Sequence, residues 1–174
     1  ENLSAKLIYL TSLGFEWENT YQKTLEFVKK TNALLALNPG TPQLKEGYER
    51  IKEVLKATNI LFVNKEEATT ILNIKNLASR RSGQISNSEL LISLQKLGPK
   101  IVVITDGKDG SFAVNEKGKF FTQDIVKTTI VEKTGAGDAY ASGFLAATLS
   151  NLPLQTAMKW GTLNASGTMS AIGA

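Results

Sequence analysis

Short, continuous apolar runs alternate with helical periodicities along the chain. Residues 6–10 (KLIYL), 33–37 (ALLAL), 60–63 (ILFV) and 101–104 (IVVI) have strand length and little polar alternation, the signature of strands covered on both faces. Tyr21, Leu25 and Val28 fall at i, i+4 and i+7 and predict an amphipathic helix over residues 18–31. Leu44, Tyr48, Ile51 and Leu55 form one stripe of a second helix over residues 42–56, with Pro42 suited to its first turn. A third helix follows from residue 65 to about residue 72, and residues 80–84 read as a loop. Ser86 or Asn87 can cap a fourth helix that carries Leu90, Leu91, Leu94 and Leu97. Residues 111–115 and 119–123 flank Glu116-Lys117-Gly118 in the pattern of a hairpin. Helices resume over residues 136–149 and from residue 153 to the end. The expected fold is α/β, a mostly parallel sheet flanked by helices with one small antiparallel hairpin, without internal repeat or linker.

The last two helices have unusual faces. Ala139, Ser142, Gly143, Ala146 and Ala147 line one side of the first, and Ala157, Gly161, Ala165 and Thr168 one side of the second. Small faces let backbones approach closely. Lys159 and the polar content of both helices fit a tight soluble pair rather than a membrane dimer.

Composition narrows the chemistry. The 174 residues include no Cys and no His. Disulfides, thiolate metal sites, imidazole acid–base catalysis and the Ser–His–Asp triad are therefore excluded. Carboxylates, Lys, hydroxyls, backbone amides or a bound cation remain. Lys and Arg number 20 against 16 Asp and Glu, a net charge of +4. Pairs such as Lys29-Lys30 and Arg80-Arg81 stand isolated, which fits solvated helix faces rather than nucleic-acid binding. The mild positive charge suits an anionic small substrate. No apolar run approaches the ~18 residues of a membrane span and no signal peptide is visible, so a cytoplasmic protein without membrane partners is expected. The chain begins at Glu1 inside a strand-like region and stops at Ala174 in a helical one, as a segment of something longer would.

The most informative stretch is Thr134-Gly135-Ala136-Gly137-Asp138, which opens the first small-faced helix. Gly135, Ala136 and Gly137 leave three backbone amides unobstructed at a helix N-terminus, where the dipole favours an anion. Asp138 sits one residue beyond. A carboxylate beside an anion hole makes sense as the base for a hydroxyl that attacks a bound phosphate. The plainer alternative is a capped helix with a dipole-friendly Asp. Three polar clusters each follow a predicted strand: Asn38; Asn64 with Glu67; and Thr105 with Gly107 and Gly110. Each has its own plain reading, as a chain turn, a helix cap and a hairpin closure. In open parallel sheets, however, ligands bind at the carboxyl ends of strands, so all four clusters should share one edge.

Together these residues carry a family resemblance. Residues 131–144 (VEKTGAGDAYASGF) resemble the C-terminal signature of the ribokinase-like (PfkB) carbohydrate kinases, usually D-T-T-G-A-G-D followed by small residues and G-F. Residues 64–67 (NKEE) resemble that family's N-x-x-E motif, and residues 102–110 (VVITDGKDG) its V-T-x-G-x-x-G nucleotide loop. Asn164-Ala165 with the closing Gly173-Ala174 is similar to its adenine-side helix. The likeness runs from about residue 35 onward, in family order.

The resemblance implies a three-layer, Rossmann-like fold and an ATP- and magnesium-dependent kinase acting on a sugar or nucleoside hydroxyl. Asp138 then matches the general base, and Gly135, Ala136 and Gly137 the anion hole. Asn64 and Glu67 match the pair that organises magnesium and phosphates, with Glu67 reaching the ion through water. Thr105, Gly107 and Gly110 match the loop beside the nucleotide, and Asn164 a nucleotide contact. The implied partners are a nucleotide and a small sugar or nucleoside, with a homodimer left open. Glu132-Lys133 stands where the family has Asp-Thr, which puts monovalent-cation activation in doubt. Lys133 is read as pointing to solvent, the alternative being a positive charge near the phosphates. Asn38-Pro39-Gly40 replaces the Asp-Pro-Asn type of segment of sugar kinases. Nothing matches the family's N-terminal half, with its Gly-Gly sugar motif and β-lid. The expectation is a single partial domain over residues 1–174, the nucleotide-binding and catalytic C-terminal half. A nucleotide-binding module without catalysis is the alternative. A dinucleotide-binding domain is disfavoured, because no G-x-G-x-x-G follows an early strand.

Overall fold

A computed structural model describes residues 4–14, 16–72 and 85–170. The expected loop at 80–84, the Arg80-Arg81 pair and the closing Gly173-Ala174 lie outside the described residues. Six strands form one sheet in the order β1 (Leu7–Leu10), β2 (Leu34–Leu37), β3 (Ile60–Asn64), β4 (Ile101–Thr105), β5 (Ser111–Val114) and β6 (Phe120–Gln123). The first four pair in parallel, for example Ile8 with Leu35 and Phe62 with Val103. β5 and β6 turn back antiparallel, as the hairpin pattern predicts.

Strand order decides which face each helix covers. Right-handed crossovers between parallel strands added in one direction deposit all their helices on the same face. That face carries α1 (Trp17–Thr31), α2 (Thr41–Lys45), α3 (Tyr48–Ala57), α4 (Lys65–Ile71) and α5 (Asn87–Gln95). Their apolar residues join Leu35, Leu37, Leu61, Val63, Val102 and Ile104 in one core. The alternate strand residues Ala36, Ile60, Phe62, Val103 and Ala113 point the other way. They are covered by α6 (Ala136–Leu149) and α7 (Leu154–Met169). Three layers result. The strands read as unbroken apolar runs because both of their faces are buried.

Local chemistry sets the boundaries. Asn64 and Ser86 each close a capping box, with Glu67 and Glu89 respectively, so Ser86 rather than Asn87 caps α5. The expected helix over residues 42–56 is instead two, α2 and α3. Gly47 takes a φ of 92°, a conformation that costs glycine little, and the helix breaks there. The break lets Gln43, fully buried, donate to the Leu13 carbonyl at 2.8 Å while Ile51, Val54 and Leu55 lie on the sheet.

The small faces of α6 and α7 do meet. A Cβ on Gly143 would stand 2.7 Å from the Trp160 carbonyl oxygen, and one on Gly161 2.8 Å from that of Tyr140. Only part of the expected stripe is used, because Ser142 and Ala146 stay exposed at its rim. Among the described residues no helix is long and apolar enough to cross a membrane.

This packing predicts opposite signs for one substitution at two sites. Gly167, also in α7, has open space around its Cα. Gly167→Ala should stabilise by up to about 1 kcal/mol, the helix propensity difference. Gly143→Ala should destabilise by roughly 1–3 kcal/mol, because a backbone carbonyl must move. Denaturant unfolding of both variants checks this; a stabilised Gly143→Ala would mean the helices are not in close contact.

Candidate active site

The carboxyl ends of the parallel strands share one edge, and the polar clusters gather there. Asn38 stitches that edge together. Its backbone N–H donates to the Leu10 carbonyl and its Nδ2 to the Phe62 carbonyl, both at 2.9 Å. The plain reading of this residue, an organiser of the chain turn, is therefore its visible role.

Asn64 and Glu67 hold each other. The Glu67 N–H donates to Asn64 Oδ1 and the Asn64 N–H to Glu67 Oε2, each at 2.8 Å. Burial pushes the Glu67 carboxyl above its ordinary value, although the bond from Asn64 works against the shift. Lys65 then pairs with Asp106 at 2.6 Å and ties this cap to the β4–β5 loop. In that loop Thr105 ends β4, and Gly107 opens a short 3₁₀ turn. A Cβ on Gly110 would stand 2.3 Å from the Gln123 carbonyl oxygen, so the loop lies flat against the end of β6.

The N-terminus of α6 faces the same edge. Gly135 precedes the helix at a φ of 76°, where a side chain would be strained. Of the expected open amides, that of Ala136 is taken: it donates to the Lys133 carbonyl at 3.3 Å. The amides of Gly135, Gly137 and Asp138 meet no acceptor among the described residues. Asp138 is exposed, and its Oδ1 accepts from the Tyr9 hydroxyl and from the Thr11 hydroxyl, each at 3.0 Å.

A pocket of about 460 Å³ opens between these parts. It is lined by Thr105, Gly107 and Gly110 from the loop, by Ala136 and Gly137 from α6, and by Ser166 from α7. Lys108, Lys127 and Lys133 stand around it, with Ile125, Val126 and Ile130 forming an apolar wall. No carboxylate is among the lining residues, so the field favours an anionic ligand carrying an apolar or aromatic part. Lys133 is exposed to solvent and also belongs to the pocket wall, so the two readings of this residue merge.

Asp138, Asn64 and Glu67 are not among the lining residues. Asp138 lies on the β1 side of the helix terminus, beside Tyr9. Asn164 lines a different, shallow depression on the outer surface of α6 and α7, and its Nδ2 donates to the Ala139 carbonyl at 2.7 Å.

Sequence reasoning missed Tyr9, Thr11, Lys108, Lys127 and the apolar wall. For the wall a signal existed: Ile125, Val126 and Ile130 are apolar in a stretch with no regular period. For Tyr9 and Thr11 there was none, because their partner lies 129 and 127 residues away.

The profile described as pfkB family carbohydrate kinase matches residues 2–174. Among curated proteins, the 5-dehydro-2-deoxygluconokinase of Halalkalibacterium halodurans is 34% identical over 113 residues, 65% of this chain and 32% of that protein. Its counterpart in Listeria innocua is 37% identical over 103 residues, 58% of this chain and 32% of that protein. Among solved structures, the Methanocaldococcus jannaschii nucleoside kinase superposes with a TM-score of 0.75 at 24% identity, covering 99% of this chain and 52% of that one. An E. coli protein solved in complex with ATP and Mg²⁺ reaches 0.78 at 16% identity, covering 97% and 53%. At these identities the solved structures establish the ribokinase-like fold. The chain spans about half the length of those solved structures, and its matches span about a third of the curated relatives.

Tyr140, at the floor of the pocket, shares a 2.9 Å hydrogen bond with Ser111. Burial pushes its phenol up to about 12. The folded state thus holds this proton more tightly than the unfolded chain. The associated stability is complete below the ordinary value of 10.0 and is lost as pH rises toward 12. Urea unfolding at stepped pH above about 9 should show a steeper loss for the wild type than for Tyr140→Phe. Equal slopes would mean that the phenol is not buried.

Proposed function

The chain belongs to the pfkB family of carbohydrate kinases, and from that premise we propose that it carries the nucleotide-binding and catalytic part of an ATP- and magnesium-dependent kinase of a sugar or nucleoside hydroxyl. One observation carries the reading: the glycine loop after β4 and the open N-terminus of α6 bound one lysine-rimmed pocket, with the exposed Asp138 a single residue beyond Gly137.

In this reading the apolar wall takes the base of the nucleotide, and Thr105, Gly107 and Gly110 lie along its ribose and phosphates. The lysines and the free amides of Gly135 and Gly137 balance phosphate charge, more strongly in the transition state, where negative charge gathers on the transferring group. Asp138 accepts the proton of the acceptor hydroxyl. The hydroxyl oxygen then bonds to the γ-phosphorus as the bond from that phosphorus to the bridging oxygen breaks, and ADP leaves. Asn164 stands outside this pocket and, on this reading, acts only indirectly, by bracing α6 through the Ala139 carbonyl.

The donor set suits magnesium. Among the described residues no group of three or more carboxylates gathers into a cage. Magnesium keeps several waters and relies on phosphate oxygens with one or two carboxylates. Glu67 offers such a carboxylate, since Oε2 is held by Asn64 and no donor among the described residues reaches Oε1. Bound there through water, the ion supplies neutralisation of phosphate charge.

The half-length span favours a second reading, a non-catalytic nucleotide-binding segment that lacks the substrate-binding half. Calorimetry with ATP–Mg²⁺, followed by phosphate-transfer assays on 5-dehydro-2-deoxygluconate, ribose and inosine, separates the two. Transfer to one acceptor supports the kinase; binding without transfer supports the segment. The sugar acid is the first acceptor to try, because the curated relatives are kinases of it by name. Asp138→Asn should lower turnover by roughly 10²–10⁴ while nucleotide affinity stays close to wild type. Turnover near wild type in that variant would contradict the assignment of the base.

A further inference from the structure

Resting on the reading of Asp138 as proton acceptor, we infer that Tyr9 and Thr11 are positioning residues that fix its carboxylate and make Oδ2 the atom that takes the proton. Both hydroxyls donate to the same oxygen, Oδ1, at 3.0 Å. No donor among the described residues reaches Oδ2. An exposed Asp in the first turn of a helix ordinarily samples several rotamers or folds back on nearby amides. Two convergent donors from β1 and the residue just past it remove that freedom. They also fill the lone pairs of Oδ1, which leaves the remaining basic sites of the carboxylate on Oδ2.

The two donors are themselves well held. The Tyr9 ring packs edge-on against Phe62 at 6.3 Å, on the core face covered by α6 and α7. Thr11 follows directly on Leu10, the buried last residue of β1, and its branched Cβ restricts χ1. Burial holds the Tyr9 phenol well above the ordinary tyrosine range, with the charges of Asp138 and Glu67 adding to the effect. It therefore remains a donor throughout the neutral range. The two bonds join the end of β1 to the first turn of α6 at the point where, on this reading, the hydroxyl is deprotonated.

Merely docking α6 onto β1 would be a different role, and the two make different predictions. A docking role lowers stability and leaves the reaction constants alone. A positioning role lowers kcat and leaves KM for ATP within about twofold, because misplacing a reacting group costs rate rather than binding. Tyr9→Phe and Thr11→Val should each reduce kcat by about tenfold, and Thr11→Ser, which keeps the hydroxyl, should restore most of it. Independently of turnover, the three-bond Hα–Hβ couplings of Asp138 should report one rotamer in the wild type. In Thr11→Val and in the double variant they should average. Wild-type kcat in both single variants, with Asp138→Asn inactive, overturns the positioning role and spares the base. An unchanged single rotamer in the double variant overturns it as well. Full turnover in Asp138→Asn overturns both readings.

Discussion

The site depends on where α6 begins, and that follows from a constraint on the whole sheet. Four parallel strands laid down in sequence order send all their connecting helices to one face. The opposite face is left to whatever follows the hairpin, and α6 and α7 supply it. Phe144 and Tyr140 of α6 close on Phe62 at the centre of the sheet, with ring centroids 5.1 and 6.4 Å away. Once those rings are seated, the first turn of α6 must project over the carboxyl edge. Asp138 is thereby brought to β1, and Ala136 and Gly137 to the loop after β4. The close α6–α7 contact at Gly143 and Gly161 holds the pair as one slab, so the terminus is positioned by a rigid body rather than by a loop.

With neither His nor Cys, the molecule works with groups that need little tuning. Backbone amides carry no side-chain entropy and cannot titrate. Lys108, Lys127 and Lys133 line the pocket as point donors on flexible stems, which on the proposed reading suits phosphate groups. The exposed Asp138 carboxylate is held by the Tyr9 and Thr11 hydroxyls, with no salt bridge among the described residues. On the proposed reading these parts suit phosphoryl transfer, where positioning and charge stabilisation do most of the catalysis.

Much of this was legible in the residues. The four apolar runs became the four parallel strands, Glu116-Lys117-Gly118 joined the hairpin, and the predicted span of residues 136–149 is that of α6. The plain reading of Asn64 as a helix cap was met by a reciprocal cap with Glu67, whose geometry depends only on neighbouring residues. What escaped needed tertiary information. A helical stripe runs straight through Gly47, and only the anchoring of Gln43 on Leu13 shows why the helix must break. Of the three amides expected to be open, those of Gly135 and Gly137 meet no acceptor among the described residues, but the turn that draws Ala136 onto Lys133 lies in backbone geometry. Tyr9 and Thr11 sit at the end of an apolar strand, where a hydroxyl reads as ordinary strand composition. Their meaning comes from a carboxylate that reaches them only after the sheet has been covered.

The central claim is that the N-terminus of α6 is where a nucleotide's terminal phosphate meets this chain. Titrating a non-hydrolysable ATP analogue with Mg²⁺ while following backbone amide resonances tests it most directly. The account predicts that the Gly137 and Asp138 amides shift most, together with those of Gly107 and Gly110, and that the shifts saturate as one site. Saturation confined to the outer surface of α6 and α7 around Asn164, with Gly137 and Asp138 unmoved, would contradict it.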